Sequence, residues 1–117
     1  MTDTILFTAP AGLRGAGVVA LVLGGLGSRL DLPVDRIDEL ALAVATVAPS
    51  IDGDTLDLEA DVLADRLLLR IGPLEGGTES DPSLRRVVDA LVDRVAGVRR
   101  GEADWLELEI RRGGDGR

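Results

Sequence analysis

The run TLDLEA (Thr55–Ala60) alternates without a break, with Leu56, Leu58 and Ala60 on one side and Asp57 and Glu59 on the other. Successive side chains of a strand point to opposite faces, so this pattern calls for a sheet with one dry face and one wet face. A short turn near Ala64 and Asp65 leads to RLLLRIG (Arg66–Gly72), and the two runs are expected to pair as a hairpin. WLELEI (Trp105–Ile110) repeats the alternation as a last strand, and Ile5–Thr8 is a short strand candidate. Such strands need apolar cover on one side only.

Helices are the expected cover. After Pro10, a glycine-studded apolar segment from Leu13 to Leu26 is expected to be helical, to end at Gly27 and Ser28, and to be buried on most sides. DLPVDRIDELALAV opens with Pro33 at a position suited to the first helical turn, with Asp35, Asp38 and Glu39 near the positive end of the dipole. Val34, Ile37, Ala41, Val44 and Ala48 fall on one face of that helix. IDGDT is a turn and PLEGGTES a loop. In DPSLRRVVDALVDRV, Asp81 can cap a helix, Pro82 can start it, and Leu84, Val87, Val88, Leu91 and Val95 line one face. The expected fold class is therefore α+β: a two-layer sandwich with a largely antiparallel sheet, helices on one face, and the order β-α-α-β-β-α-β. Residues 1–112 form a single domain in this reading and 113–117 a frayed tail.

Composition limits the chemistry. The chain has 117 residues, enough for a core, and at 2% aromatic content that core is built from Leu, Val, Ile and Ala. There is no cysteine, histidine or tyrosine, and all 13 basic residues are arginine. A histidine base, a Ser-His-Asp triad, a Schiff-base lysine, a P-loop lysine and thiolate zinc sites are thereby excluded. A net charge of −8 opposes nucleic acid and anionic membrane surfaces as partners. MTDTILF lacks a basic segment before its apolar residues, and the apolar stretch Ala16–Leu26 is shorter than the ~20 residues of a membrane helix. The expectation is a soluble, cytoplasmic protein.

The segment LPVDRIDELALAVATVAPS (Leu32–Ser50) resembles the nucleotide-binding helix of the bacterial anti-sigma-factor serine kinases, small ATP-binding domains of the GHKL superfamily of gyrase, histidine-kinase and mismatch-repair ATPases. Ile37, Asp38, Leu40, Leu42, Ala43 and Val44 match a family run of the form I-D-D-L-x-L-A-V-x-E-A-x-x-N. DALVDRVAGV and the strand after it are similar to the family's C-terminal helix and strand, so the resemblance spans Ile5 to Ile110. It implies a Bergerat-like ATPase fold.

The resemblance also implies where ligands belong. The family's helix carries a Glu that activates a hydroxyl or water and, one turn on, an Asn that binds magnesium. Thr46 and Ser50 occupy those positions here. Thr46 is no base near neutral pH, and Ser50 lacks an amide oxygen. Pro49 is expected to push Ala48 out of the helical region and take Ser50 off the helix face. The family's base-reading Asp corresponds to Gly72, with Gly76 and Gly77 in the following loop. Its phosphate-binding turn corresponds to DPSL, where Ser83 remains but Pro82 has no N–H and Asp81 opposes phosphate. Thr46, Ser50, Gly72, Gly76, Gly77 and Ser83 thus mark a vestigial nucleotide pocket, with no catalytic residue, metal or cofactor. Thr46 can equally bond back to a preceding carbonyl, and Ser50 can be an ordinary turn residue.

The function implied is a non-catalytic regulator resembling an anti-sigma factor, whose partner is a sigma factor or an anti-anti-sigma domain, with a homodimer or heterodimer possible. The alternative is an ATP- and magnesium-binding serine-protein kinase that borrows a carboxylate from Glu39 or Glu75. GLRGAGVVA (Gly12–Ala20) lacks the spacing of a dinucleotide loop and reads as close helix packing. Asp52, Asp54 and Asp57 lack the calcium-loop pattern. Glu107 and Glu109, like Asp57 and Glu59, read as the wet face of the sheet, and Arg85–Asp89 as a pair on a solvated helix face.

Overall fold

The alternating runs pair as their spacing demands. In the computed structural model, which describes residues 3–111, five strands form one antiparallel sheet. They are β1 (Asp3–Pro10), β2 (Thr55–Val62), β3 (Arg66–Leu74), β4 (Arg94–Arg100) and β5 (Ala103–Arg111), lying side by side in the order β1-β2-β3-β5-β4. Three α-helices join them: α1 (Leu13–Arg29), α2 (Val34–Val47) and α3 (Pro82–Leu91). The class is α+β. The expected tail at 113–117 lies outside the described residues.

Register explains the two faces. Phe7 pairs with Leu58, Leu58 with Ile71, and Ile71 with Leu106, so the inward residues of four strands fall in rows. Leu56, Leu69, Ile71, Leu106, Leu108 and Ile110 are fully buried and join Val19, Leu23, Leu40, Val44, Val47 and Val88 of the helices in one apolar cluster. Burying side chains of this size stabilises the fold by ~1.5–3 kcal/mol each, before entropy is subtracted.

Two helices differ from expectation. α3 stops at Leu91, and the residues after it form β4, a strand absent from the expected order. Val92 turns extended (φ −125°, ψ 167°), and the Asp93 N–H bonds the Glu109 carbonyl at 2.9 Å, which opens the ladder to β5. Val95 packs against the core from β4, and Val87 is largely exposed, so neither lines a helix face as expected. The β-branched Val92, Val95 and Val98 and Gly97 are poor helix formers, and an available β5 edge tips them into a strand.

α1 is buried on one face only. Val19, Leu23 and Leu26 point into the core, whereas Val18 is 41% and Leu21 79% exposed. Nor do Gly27 and Ser28 end it: the helix runs to Arg29 and closes through Asp31, which adopts φ 57°. The Leu32 N–H reaches the Gly27 carbonyl (3.0 Å) and the Asp31 N–H the Ser28 carbonyl (3.4 Å), the double closure of a Schellman motif. At the other end, a Cβ on Gly15 would lie 1.5 Å from the Pro10 carbonyl oxygen, so the GLRGAGVVA glycines include one required by close packing. Among the described residues, no helix is long and apolar enough to cross a membrane.

α2 begins after Pro33 and buries Leu40, Ala43, Val44 and Val47, while Val34 at its start is exposed. Pro49 acts differently from expectation. Ala48 stays helical (φ −52°, ψ −40°), and the chain tightens into a 3-10 turn over Ala48–Ser50. A 3-10 turn accommodates the proline's missing donor because its hydrogen bond is made by Ile51, to the Ala48 carbonyl at 3.2 Å.

Candidate functional site

Six positions matter by resemblance, and the fold distributes them. Thr46, in the last turn of α2, donates its hydroxyl to the Leu42 carbonyl at 2.8 Å. Ser50 sits in the 3-10 turn, and its carbonyl accepts the Glu75 N–H at 2.8 Å. That bond ties the end of α2 to the loop that holds Gly76 and Gly77, both exposed, Gly77 with φ 89°. Ser83 is in the first turn of α3, where its N–H donates to Asp81 at 2.9 Å. The Leu84 N–H shares the same carboxylate oxygen at 3.4 Å, so Asp81 caps α3 and Pro82 follows it.

Gly72 belongs to a different surface. A Cβ there would lie 2.5 Å from the Trp105 indole, so its missing side chain is the space the indole fills. Trp105 is on the sheet face opposite the buried rows, since it is out of phase with Leu106, Leu108 and Ile110 along β5. Gly72 therefore opens away from α2 and toward the outer face of the sheet.

That outer face is an ion-pair network. Arg70, 12% exposed, donates through Nε to Glu59 (3.2 Å), through Nη1 to Glu107 (3.0 Å) and through Nη2 to Asp61. Arg100 grips Glu59 with both terminal nitrogens, one at 2.6 Å, and its guanidinium lies 4.7 Å from the centre of the Trp105 ring. Thr4 and Thr8 on β1 donate to Asp61 (2.6 Å) and Asp57 (2.9 Å). The cross-strand register makes this inevitable: Arg70 stands opposite Glu59 on one side and Glu107 on the other. A shallow groove of about 350 Å³ runs between Leu6, Thr8, Asp57, Glu59, Arg100 and Trp105.

The network fixes protonation. The Arg100 hydrogen bonds, with help from Arg70 and against the cost of burial, hold Glu59 below the usual carboxylate range. The Thr4 hydroxyl and then Arg70 do the same for Asp61. Burial opposes the charge of Arg70, but hydrogen bonds to Asp61, Glu107 and Glu59 outweigh it and raise its pKa. Arg100 is raised chiefly by Glu59. Carboxylates held ionised and tied to arginine, as Glu59 and Asp61 are, make poor proton donors or bases.

A second concavity lies where α1 ends and α2 begins. About 630 Å³ in volume, it is bordered by Gly24, Leu32, Pro33, Val34, Ile37 and the carboxylates Asp31 and Asp38. Beside it, a Cβ on Gly27 would meet Ile37 at 2.4 Å, so α2 leans on bare α1 backbone. A third, of about 390 Å³, borders Pro82, Arg85, Arg86 and Asp89. There Arg85 donates to the carbonyls of Glu79 (2.7 Å) and Val95 (3.3 Å) rather than pairing with Asp89. Neither sheet-face network nor corner groove stood out in the sequence as a site. Arg70 midway along a strand whose other central residues are apolar, opposite acidic strands, was the available signal for the first.

Among the described residues, no group of three or more acids is placed to hold a metal ion. No protein-family model and no curated protein matches the chain.

Proposed function

We propose that this chain is a non-catalytic regulatory domain that acts by binding another protein, resembling an anti-sigma factor whose nucleotide ligands have been lost from a two-layer Bergerat-like arrangement. The observation that carries this reading is the cap of α3. Helix N-terminal amides are the natural cradle for a phosphate, and here Asp81 already accepts from Ser83 (2.9 Å) and Leu84 (3.4 Å). A nucleotide phosphate would have to displace a bonded carboxylate and approach its charge. Thr46 is likewise spent on Leu42, and Glu39, one of the two acids a kinase reading would borrow, is held by Arg36 at 2.9 Å.

A sigma factor or an anti-anti-sigma domain is the partner class that the resemblance implies, in the cytoplasm. The reading is tested by incubating the protein with radiolabelled ATP and magnesium while thermal unfolding is followed with ATP and with ADP. Unchanged melting and no phosphoryl transfer are expected. A magnesium-dependent rise in melting temperature would overturn the loss of nucleotide binding and favour the kinase.

A further inference from the structure

Three acids around the start of α2 have no arginine partner among the described residues. Asp31, Asp35 and Asp38 are exposed and stand outside the ion pairs and side-chain hydrogen bonds of the described residues. Arg36, within the same turn of helix, is held instead by Glu39 (2.9 Å) and Asp93 (2.7 Å). Beside Asp31 and Asp38 lies the apolar groove of Leu32, Pro33, Val34 and Ile37. Val34 is 70% exposed although it is a β-branched aliphatic at the first turn of a helix. On the α1 side of the groove, a Cβ on Gly24 would meet nothing within 4 Å, so a docked segment can come close to the backbone.

We propose that this groove docks an amphipathic helix of a partner protein, its apolar face on Val34 and Ile37 and its flanking arginines or lysines on Asp31 and Asp38. Charge decides the occupant. A second copy related by a two-fold axis would set this acidic rim against itself, which repels. A basic partner gains from Asp31 and Asp38, which form no ion pair among the described residues. The apolar floor supplies the anchor, as in helix-in-groove recognition generally. The proposal rests on reading the chain as a protein-binding regulator.

The test uses a synthetic Leu/Arg peptide of about eighteen residues patterned as an amphipathic helix, with a Leu/Glu peptide and a scrambled Leu/Arg peptide as controls. Amide spectra of the full chain are recorded during titration. Expected are shifts centred on Gly24, Asp31, Leu32, Val34 and Asp38, with binding that weakens as salt rises and is absent for the Leu/Glu peptide. Asp31→Asn keeps a residue that tolerates the left-handed backbone, so D31N combined with D38N should weaken binding about tenfold without unfolding. Val34→Ser should weaken it to a similar degree at high salt, where the acids no longer matter. Shifts on the outer sheet face, equal binding of the scrambled peptide, or no binding at all would overturn the proposal, as would a dimer in sedimentation that Val34→Ser dissolves. ATP binding that leaves the peptide in place would overturn the regulator reading alone.

Discussion

The outer sheet face and the corner between α1 and α2 are both acidic, yet they are opposites. On the sheet, Arg70 and Arg100 satisfy Glu59, Asp61 and Glu107, and the acids hold two strands on either side of Arg70 together. At the corner, Asp31 and Asp38 border an apolar groove and form no ion pair among the described residues. The difference teaches that net charge alone says little about where a partner binds. Placement of arginine converts one group of acids into scaffold and leaves the other available.

The largest expected effect breaks the scaffold side of the comparison. Arg70→Met leaves three carboxylates close together without their shared cation, and should cost about 3 kcal/mol in urea unfolding. A loss below about 0.5 kcal/mol would mean the network behaves as ordinary exposed pairs. Next is Gly72→Ala, whose Cβ would meet the indole at 2.5 Å. Displacing Trp105 should cost about 2 kcal/mol and change the tryptophan fluorescence, because the ring loses its seat under Arg100.

A gentler perturbation is acid. Glu59 and Asp61 are held below their ordinary values of 4.5 and 3.8, so the stability they contribute is complete above those values. It is lost as pH falls through the lower folded-state values. Urea midpoints should therefore fall below about pH 4.5, and the fall should be shallower in the Arg70→Met variant, where less remains to lose. Equal slopes would remove the network from the pH dependence. Smallest of all, Asp38→Asn should change stability by less than about 0.5 kcal/mol, since the residue has no described partner to lose. A large destabilisation there would make the corner a second scaffold and erase the contrast.

Much of the sheet was legible in the sequence because period-two alternation has one physical solution when a face is buried. Leu56, Leu58 and Ala60 are all buried, and Asp81 caps α3 as its position before Pro82 implied. β4 was not legible for a particular reason. Val95 is apolar at a position that both a continued helix and an inward-facing strand would place against the core, and only the edge of β5, distant in sequence until the fold forms, decides between them. The exposed side of α1 was hidden because an apolar helix composition carries no sidedness when the outward positions are Val18, Leu21 and glycines. Likewise the wet face was foreseen as wet, but its arginine network joins residues 9, 11 and 37 positions apart, which no local pattern connects. Gly72, assigned by resemblance to a nucleotide pocket, lies beneath the Trp105 indole on the outer face of the sheet.

The most direct measurement is calorimetry on one protein preparation with two titrants, the basic amphipathic peptide and ATP with magnesium. Saturable heat from the peptide, diminished by D31N with D38N, and none from the nucleotide is the expected result. Saturable heat from ATP with magnesium and none from the peptide would contradict a partner-binding domain that has given up its nucleotide.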